Sequence, residues 1–231
     1  VSLFDYGAGN LHSLEKALEA GGASVRVTQD WEEALDQDAL VLPGVGSFGT
    51  AVGSLEGYRA LLKKRLGQGF PCLGICLGMQ VAVVEFARHV AGLEKANSSE
   101  FDRATPYPII YLMTEWLDDK TGRIETRDET SDKGATMRLG AYPCRLQADT
   151  AAHRAYGQEN ISERHRHRYE FNNDYRGPFE ENGMVFSGLS HDGKLVEMIE
   201  IQDHSFFIAA QFHPELKNSG PGILSMANAV T

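Results

Sequence analysis

Three short stretches hold side chains that can do covalent chemistry together. In "GICLGMQ", Cys76 stands between Gly74 and Gly78, where an apolar stretch gives way to a helical pattern. A strand that ends in G-x-C-x-G and runs straight into a helix is a nucleophile elbow with sulfur in place of oxygen. The glycines let the chain turn sharply, and a helix starting at Leu77 aims the positive end of its dipole at the thiol, which favours thiolate. The same residues would also suit a small apolar cysteine at a tight turn. A nucleophile needs a base, and "QFHPE" (211–215) offers His213 with Glu215 beside it. Pro214 biases His213 towards extended backbone, where residues two apart face the same side, so Glu215 can reach the imidazole. His213 then takes the thiol proton while Glu215 holds its tautomer, a Cys-His-Glu triad. Taken alone, such a triplet more commonly means a surface His beside a Glu. The third need is an oxyanion hole. The N–H of Leu77 is one natural donor, and the turn "PGVGSFG" (43–49) offers Val45 or Gly46, though it also reads as an ordinary strand-to-helix turn.

Those residues must be positioned by regular elements. "VSLFDYGAGNLHSLEKALEAGG" reads as a strand, a turn through Gly7, Gly9 and Asn10, and a helix with Leu11, Leu14, Ala17 and Leu18 on one face, stopped by Gly21 and Gly22. "ASVRVTQ" alternates like a strand, "DALVLPGVGSFG" is a buried strand ending in a glycine turn, and one helix is expected through roughly residues 50–66 before the strand that leads to Cys76. Strands separated by helices imply βαβ units: an α/β fold whose mostly parallel central sheet carries helices on both faces. In such sheets the reactive groups collect where the strands end. Residues from about 93 to 136 are polar and charged with little helical period, and contain a hairpin-like "DDKTGR". They read as an inserted loop and strand region within one domain spanning 1–231. "ATMRLGAYPCRL", "GMVFSGLS", "LVEMIEI" and "FFIAAQFHPE" then form a run of strands, partly antiparallel.

Composition narrows the function. The 231 residues, 42% hydrophobic, suffice for one substantial core. With 22 basic and 32 acidic side chains the net charge is −10, which argues against a nucleic-acid surface. No apolar run reaches membrane-span length and no signal-peptide pattern is visible, so no membrane partner is expected. The chain opens at Val1 rather than Met, so a few leading residues are expected to precede it. Three cysteines (Cys72, Cys76, Cys144) make a disulfide framework a poor reading and a reducing cytoplasm the default. Cys72 to Cys76 is not C-x-x-C spacing, so no metal is expected. "ERHRHRYE" places His165 and His167 on one face of a strand without a further ligand set. Alone, it reads as an exposed basic strand or an anion patch.

"PGVGSFG", "GICLGMQ" and "QFHPE", in that order, together resemble the class I (triad) glutamine amidotransferases, whose glutaminase domains hydrolyse glutamine and pass ammonia to a synthase. Residues 73–217, with "GICLGMQVAVVEFARHVAGLEKANSSEF", "LMTEW", "GATMRLGAYPC", "ERHRHRYEFNN" and "LVEMIE", resemble the glutaminase domain of CTP synthase. Residues 1–72, with "DYGAGNLHSLEKALE" and "LPGVGSFG", and the tail "KNSGPGILSMANAV" resemble the glutaminase subunit of imidazole glycerol phosphate synthase. A CTP synthase is expected to carry P-G-G-F-G where this chain has "PGVGSFG", so the chain reads as a mosaic. The resemblance implies a flavodoxin-like amidotransferase fold, L-glutamine as substrate and no cofactor. It also implies a partner, a synthase subunit or domain that receives the ammonia and docks near residues 7–12 and 43–50. It further implies that Gly44, Gln80 and Glu100 help hold the substrate, the latter two at its α-amino end, and that Arg168 takes its carboxylate end. A zwitterion offers charges that a carboxylate and a guanidinium match. Two readings compete: a DJ-1/PfpI-like cysteine hydrolase sharing the elbow cysteine, and a domain that keeps the triad but has lost turnover because its oxyanion loop is misplaced.

Overall fold

The computed structural model describes residues 1–7, 11–44, 46, 48–112, 115–118, 123–126 and 137–216. Gly9, Asn10, Val45 and the tail from residue 217 lie outside them. β1 (Ser2–Phe4) is followed by α1 (His12–Ala20), which stops at Gly21 and Gly22, the latter at φ +91°. β2 (Arg26–Thr28) leads to α2 (Trp31–Leu35), capped by Asp30, whose carboxylate accepts from the N–H groups of Glu32 and Glu33 at 2.8 and 3.1 Å. After β3 (Leu40–Leu42), where one helix is expected, there are two: α3 (Phe48–Ser54) and α4 (Arg59–Gly67). The chain breaks there because Leu55 turns into the core and Gly57 takes φ +91°, a conformation open to glycine at little cost.

β4 (Cys72–Ile75) runs directly into α5 (Leu77–His89). β5 (Ala96–Ser98), β6 (Tyr107–Leu112), β7 (Glu115–Asp118) and β8 (Arg123–Thr126) occupy the insertion, and β7 and β8 pair antiparallel; residues 119–122 of the hairpin-like "DDKTGR" lie outside the described residues. β9 (Arg138–Leu146), α6 (Ala151–Tyr156), β10 (Asn160–His167), β11 (Tyr169–Phe171), α7 (Arg176–Glu181), β12 (Met184–Ser190), β13 (Val196–Ile201) and β14 (Phe207–Ala210) follow.

Among the described residues the main sheet has nine strands in the order β10-β9-β12-β13-β14-β4-β3-β1-β2. From β14 to β2 every pairing is parallel; from β14 back to β10 every pairing is antiparallel. The parallel expectation therefore describes one half of the sheet. The short link between β12 and β13 permits only a hairpin, because a parallel partner needs a crossover of a dozen residues or more. A side sheet, β11-β6-β5, joins the insertion to the segment just after β10.

In the parallel half both faces are apolar. Leu3, Val41, Leu73, Ile75 and Ile208 pack towards α1 and α6, while Phe4, Leu40, Leu42 and Ala209 pack with Trp31, Met79 and Val83 of the helices opposite. Period-two strands buried on both faces, as parallel sheets require, bring β3, β4 and β14 side by side and their carboxyl ends to one edge.

Candidate active site

Cys76 sits at that edge, in the one-residue link between β4 and α5, with φ 45° and ψ −98°. A non-glycine residue with positive φ costs conformational energy, and the neighbours hold it there. Its N–H donates to the Ala210 carbonyl of β14 at 2.6 Å, and its carbonyl accepts from Gln80 in the first turn of α5 at 3.1 Å. The flanking glycines have steric causes. A Cβ on Gly78 would lie 2.4 Å from the Leu42 carbonyl oxygen, and one on Gly74 would lie 2.9 Å from the Ala209 Cβ and 3.1 Å from the Gly78 carbonyl carbon. Only glycine lets α5 press against β3 and lets β4 lie against β14, and this pressure tightens the elbow.

His213 follows β14, so it emerges beside the elbow. Its ring lies next to Cys76, since one Cβ on Gly44 would touch both, and its Nδ1 lies 2.8 Å from Glu215 Oε1. The backbone N–H of His213 donates to the Arg164 carbonyl of β10 at 2.7 Å, which ties the base to the antiparallel half. Glu215 reaches the ring from a short 3-10 turn, Pro214–Leu216, and not from the extended segment expected. Proline suits the first position of a helical turn, and the turn still brings Glu215 back to the ring. Burial opposes a charge on His213, but Cys76 and then Glu215 outweigh it and push its pKa up to about 10. The other two thiols are buried and inert: desolvation pushes Cys72 up to about 12 and raises Cys144 well above its ordinary value.

Gly44 lies against the triad itself. A Cβ there would stand 2.6 Å from His213 Cε1 and 2.8 Å from Cys76 Cβ, so a side chain at 44 would separate base from nucleophile. Leu77 is the first residue of α5, where backbone N–H groups have no partner within the helix, and Gly46 (φ +123°) lies close enough that its Cβ would meet Leu77 Cδ2 at 3.4 Å. Val45, the other expected donor, is outside the described residues.

The expected substrate residues fall into two groups. Gln80 is buried on α5. Its Nε2 donates to the Tyr169 carbonyl at 3.1 Å and to Gln211 Oε1 at 3.4 Å. Glu100 stands in the loop after β5 and Arg168 in the link between β10 and β11, near enough for the Arg168 charge to be felt at Glu100. Partial burial raises the Glu100 carboxyl's pKa, and the Arg168 guanidinium opposes that rise.

Some residues escaped the sequence reading. Gln211, fully buried, points Nε2 at Cys76 Sγ from 3.7 Å. The same spacing-of-two argument that linked His213 to Glu215 would have found it, two residues before His213. Behind the site lies a buried ionic cluster. Arg138 contacts Glu197 at 2.7 Å and Glu170 at 3.4 Å, His167 Nδ1 lies 3.4 Å from Glu170, and His165 Nδ1 lies 2.8 Å from His167 Nε2. Burial, then Arg138, His167 and His213, lower the His165 pKa far below the usual value. The two histidines do share a face of β10, but that face is inside; the alternate positions Asn160, Ser162, Arg164 and Arg166 are the exposed ones. No group of His, Cys, Asp and Glu among the described residues is arranged to hold a metal ion, and no described helix is long and apolar enough to cross a membrane.

Known proteins are similar to this chain in sequence and in fold. The family model for glutamine amidotransferase class-I covers residues 2–230. The chain is 47% identical over 221 residues to the CTP synthase of Nitratidesulfovibrio vulgaris (strain DP4), covering 90% of this chain and 40% of that protein. It is 54% identical over 201 residues to the CTP synthase of Moorella thermoacetica (strain ATCC 39073 / JCM 9320), covering 87% and 33%. The chain thus spans 40% or less of the length of these relatives. Among solved structures, the Trypanosoma brucei CTPS glutaminase domain with bound acivicin aligns with a TM-score of 0.78 at 24% identity, over 99% of this chain and 92% of that one. A putative GMP synthase protein from Thermoplasma acidophilum aligns with a TM-score of 0.64 at 16% identity, over 100% and 92%. At these identities the structural likeness establishes a shared fold.

Proposed function

The chain belongs to the class-I glutamine amidotransferases and is an enzyme that hydrolyses glutamine, and from that premise we propose that Cys76, His213 and Glu215 are its catalytic residues. The observation that carries the reading is the strained Cys76 at the β4–α5 elbow, beside a His213 whose Nδ1 lies 2.8 Å from Glu215 and whose pKa Cys76 and Glu215 together raise. An imidazolium beside the sulfur is the partner that a resting thiolate needs.

The steps follow from positions. Cys76 Sγ attacks the carbonyl carbon of the glutamine side-chain amide, and the Leu77 N–H, with Val45 or Gly46 from the 43–49 turn, takes the developing oxyanion. His213 protonates the departing nitrogen, leaving ammonia and a γ-glutamyl thioester on Cys76. The imidazole, now neutral, takes a proton from water, which attacks the thioester and releases glutamate and the thiol.

The substrate's charged ends meet Gln80, Glu100 and Arg168. Both N–H groups of the Gln80 amide are engaged, so its Oε1 is the atom left to accept from an α-ammonium. Glu100 adds a carboxylate to that end, Arg168 pairs the α-carboxylate, and Gly44 offers only backbone on the side of the triad where a Cβ would collide with His213 and Cys76. The ammonia goes to a synthase of the CTP synthase type, a reading supported by identities near one half. The imidazole glycerol phosphate synthase likeness of residues 1–72 supports a second acceptor type. In either case the partner docks near residues 7–12 and 43–50, around the oxyanion turn.

Incubation with 6-diazo-5-oxo-L-norleucine tests the site. The reagent should modify Cys76 alone and Cys76→Ala should release no ammonia from glutamine; modification chiefly at Cys72 or Cys144 would remove the assignment. Mixing the chain with isolated CTP-synthase-type and imidazole-glycerol-phosphate-type synthase domains should stimulate ammonia release with the former.

A further inference from the structure

A chain of amide hydrogen bonds ends on the nucleophile, and its direction is determined by the backbone at its other end. A primary amide has one oxygen that only accepts and one nitrogen that only donates. The Tyr169 carbonyl can only accept, so Gln80 must turn Nε2 towards it, at 3.1 Å. Gln80 Nε2 then also faces Gln211, which must present Oε1, at 3.4 Å. With its oxygen committed, Gln211 presents Nε2 to Cys76 Sγ at 3.7 Å, within reach of a hydrogen bond to sulfur. Gln211 is fully buried, and its backbone N–H donates to the Glu197 carbonyl of β13 at 2.8 Å, so the donor is held from both sides.

We propose that Gln211 is a further catalytic residue: its Nε2–H donates to Cys76 Sγ and stabilises the thiolate, and Gln80 is the positioning residue that keeps that donor facing the sulfur. A hydrogen bond from a neutral amide strengthens when its acceptor carries charge, and the more so out of water. The bond is therefore stronger to the thiolate than to the thiol or to a thioester sulfur. It favours the attacking form before acylation and the departing form during hydrolysis. On the glutaminase reading, Gln80 also joins the substrate's α-amino end to the nucleophile through one hydrogen-bond chain.

The titratable groups around the sulfur are His213, next to Cys76, with Glu215 behind it and His165 coupled to His213. Gln211 does not titrate, so its replacement can move a pH profile only through these groups or the sulfur.

The test is the rate of Cys76 alkylation by iodoacetamide as a function of pH, read by mass spectrometry at that residue, for the unmodified sequence, Gln211→Leu and Gln211→Met. Both variants should react roughly tenfold more slowly at neutral pH, with the profile displaced to higher pH, the size expected for losing one charge-assisted hydrogen bond. Glutamine kcat should fall with KM nearly unchanged, whereas Gln80→Leu should shift the alkylation profile less and raise KM as well. Profiles that superpose on the original for both Gln211 variants would overturn the proposal, including when their melting temperature drops. Without any substitution, the Gln211 side-chain amide signal in 15N NMR should move when Cys76 is alkylated; an unmoved signal also overturns it. Alkylation needs no glutamine, so the two readings separate. A shifted profile in a chain that hydrolyses no glutamine would sink the glutaminase site and keep the role of Gln211, and the reverse result would do the opposite.

Discussion

The two halves of the main sheet do different work with different materials. The parallel half, β14-β4-β3-β1-β2, is packed with leucine, valine, isoleucine and phenylalanine on both faces and carries Cys76 and His213, the proposed nucleophile and base, at its edge. The antiparallel half, β10-β9-β12-β13, buries Arg138, Glu163, His165, His167 and Glu197 and leads into the segment that holds Arg168. An apolar core is non-directional and positions by shape, which is enough to press an elbow tight. A buried ionic cluster is directional, and it aligns groups whose angles matter, at the cost of desolvating each charge. On the proposed assignments, the reacting groups stand on the apolar half and the charged end of the substrate is met from the ionic half.

Removing the base breaks the first half most severely. His213→Ala should lower kcat for glutamine by several orders of magnitude, while Glu215→Gln, whose amide still steadies the ring, should cost less. Steady-state kinetics decide the matter; a costlier Glu215 change would reverse the two roles.

The second half should fail in stability before it fails in chemistry. Arg138→Met leaves Glu170 and Glu197 buried without their guanidinium, and removing one partner of such a cluster costs about 3–5 kcal/mol. Urea unfolding should show that loss. If the variant proved as stable as the original, the cluster would not be what holds this half together.

Gly44→Ala is the sharper probe of the boundary. Its Cβ would meet His213 Cε1 at 2.6 Å, so the ring must shift, and a displacement of that order lowers kcat by about 10²-fold. The melting temperature should change little, because what moves is the Cys76–His213 contact and not the core.

Smaller still are the effects at the rim. Arg168→Ala and Glu100→Ala should each weaken glutamine binding by roughly 1.5–3 kcal/mol, seen as a 10- to 100-fold rise in KM with kcat largely kept. Unchanged KM in both would separate the side sheet from substrate recognition.

The gentlest perturbation is pH. His213 has a folded pKa of about 10, above the usual 6.5, so the folded state holds the proton more tightly than the unfolded chain. The stability this contributes is fully present below pH 6.5 and is lost as the pH rises through about 10. Unfolding free energy should therefore fall on the alkaline side, and His213→Gln should flatten that fall.

Much of the proposed site was legible from the chain alone. Gly74, Cys76 and Gly78 mark an elbow, His213 and Glu215 a base with its partner, and the alternation of short apolar runs with helical patterns an α/β sheet. Each of these signals is local: a turn, a period or a spacing of two. The error over residues 50–66 was local too, since helical periodicity outweighed the signal of Gly57 that the chain turns there.

Tertiary contacts supply what stands opposite each local pattern. That Gly44 must lack a side chain to let Cys76 meet His213, that the alternate residues of "ERHRHRYE" turn inward onto Arg138 and Glu197, and that Gln211 faces the nucleophile are contacts between distant parts of the chain. Gln211 and Cys76 are 135 positions apart, Arg138 and Glu197 59. Periodicity tells which face a residue occupies, but not which strand will lie beside it. Residue order alone specifies the reactive groups and the elements that carry them. Strand order and register choose their partners, because burial of polar groups is tolerated where a distant partner arrives to satisfy them.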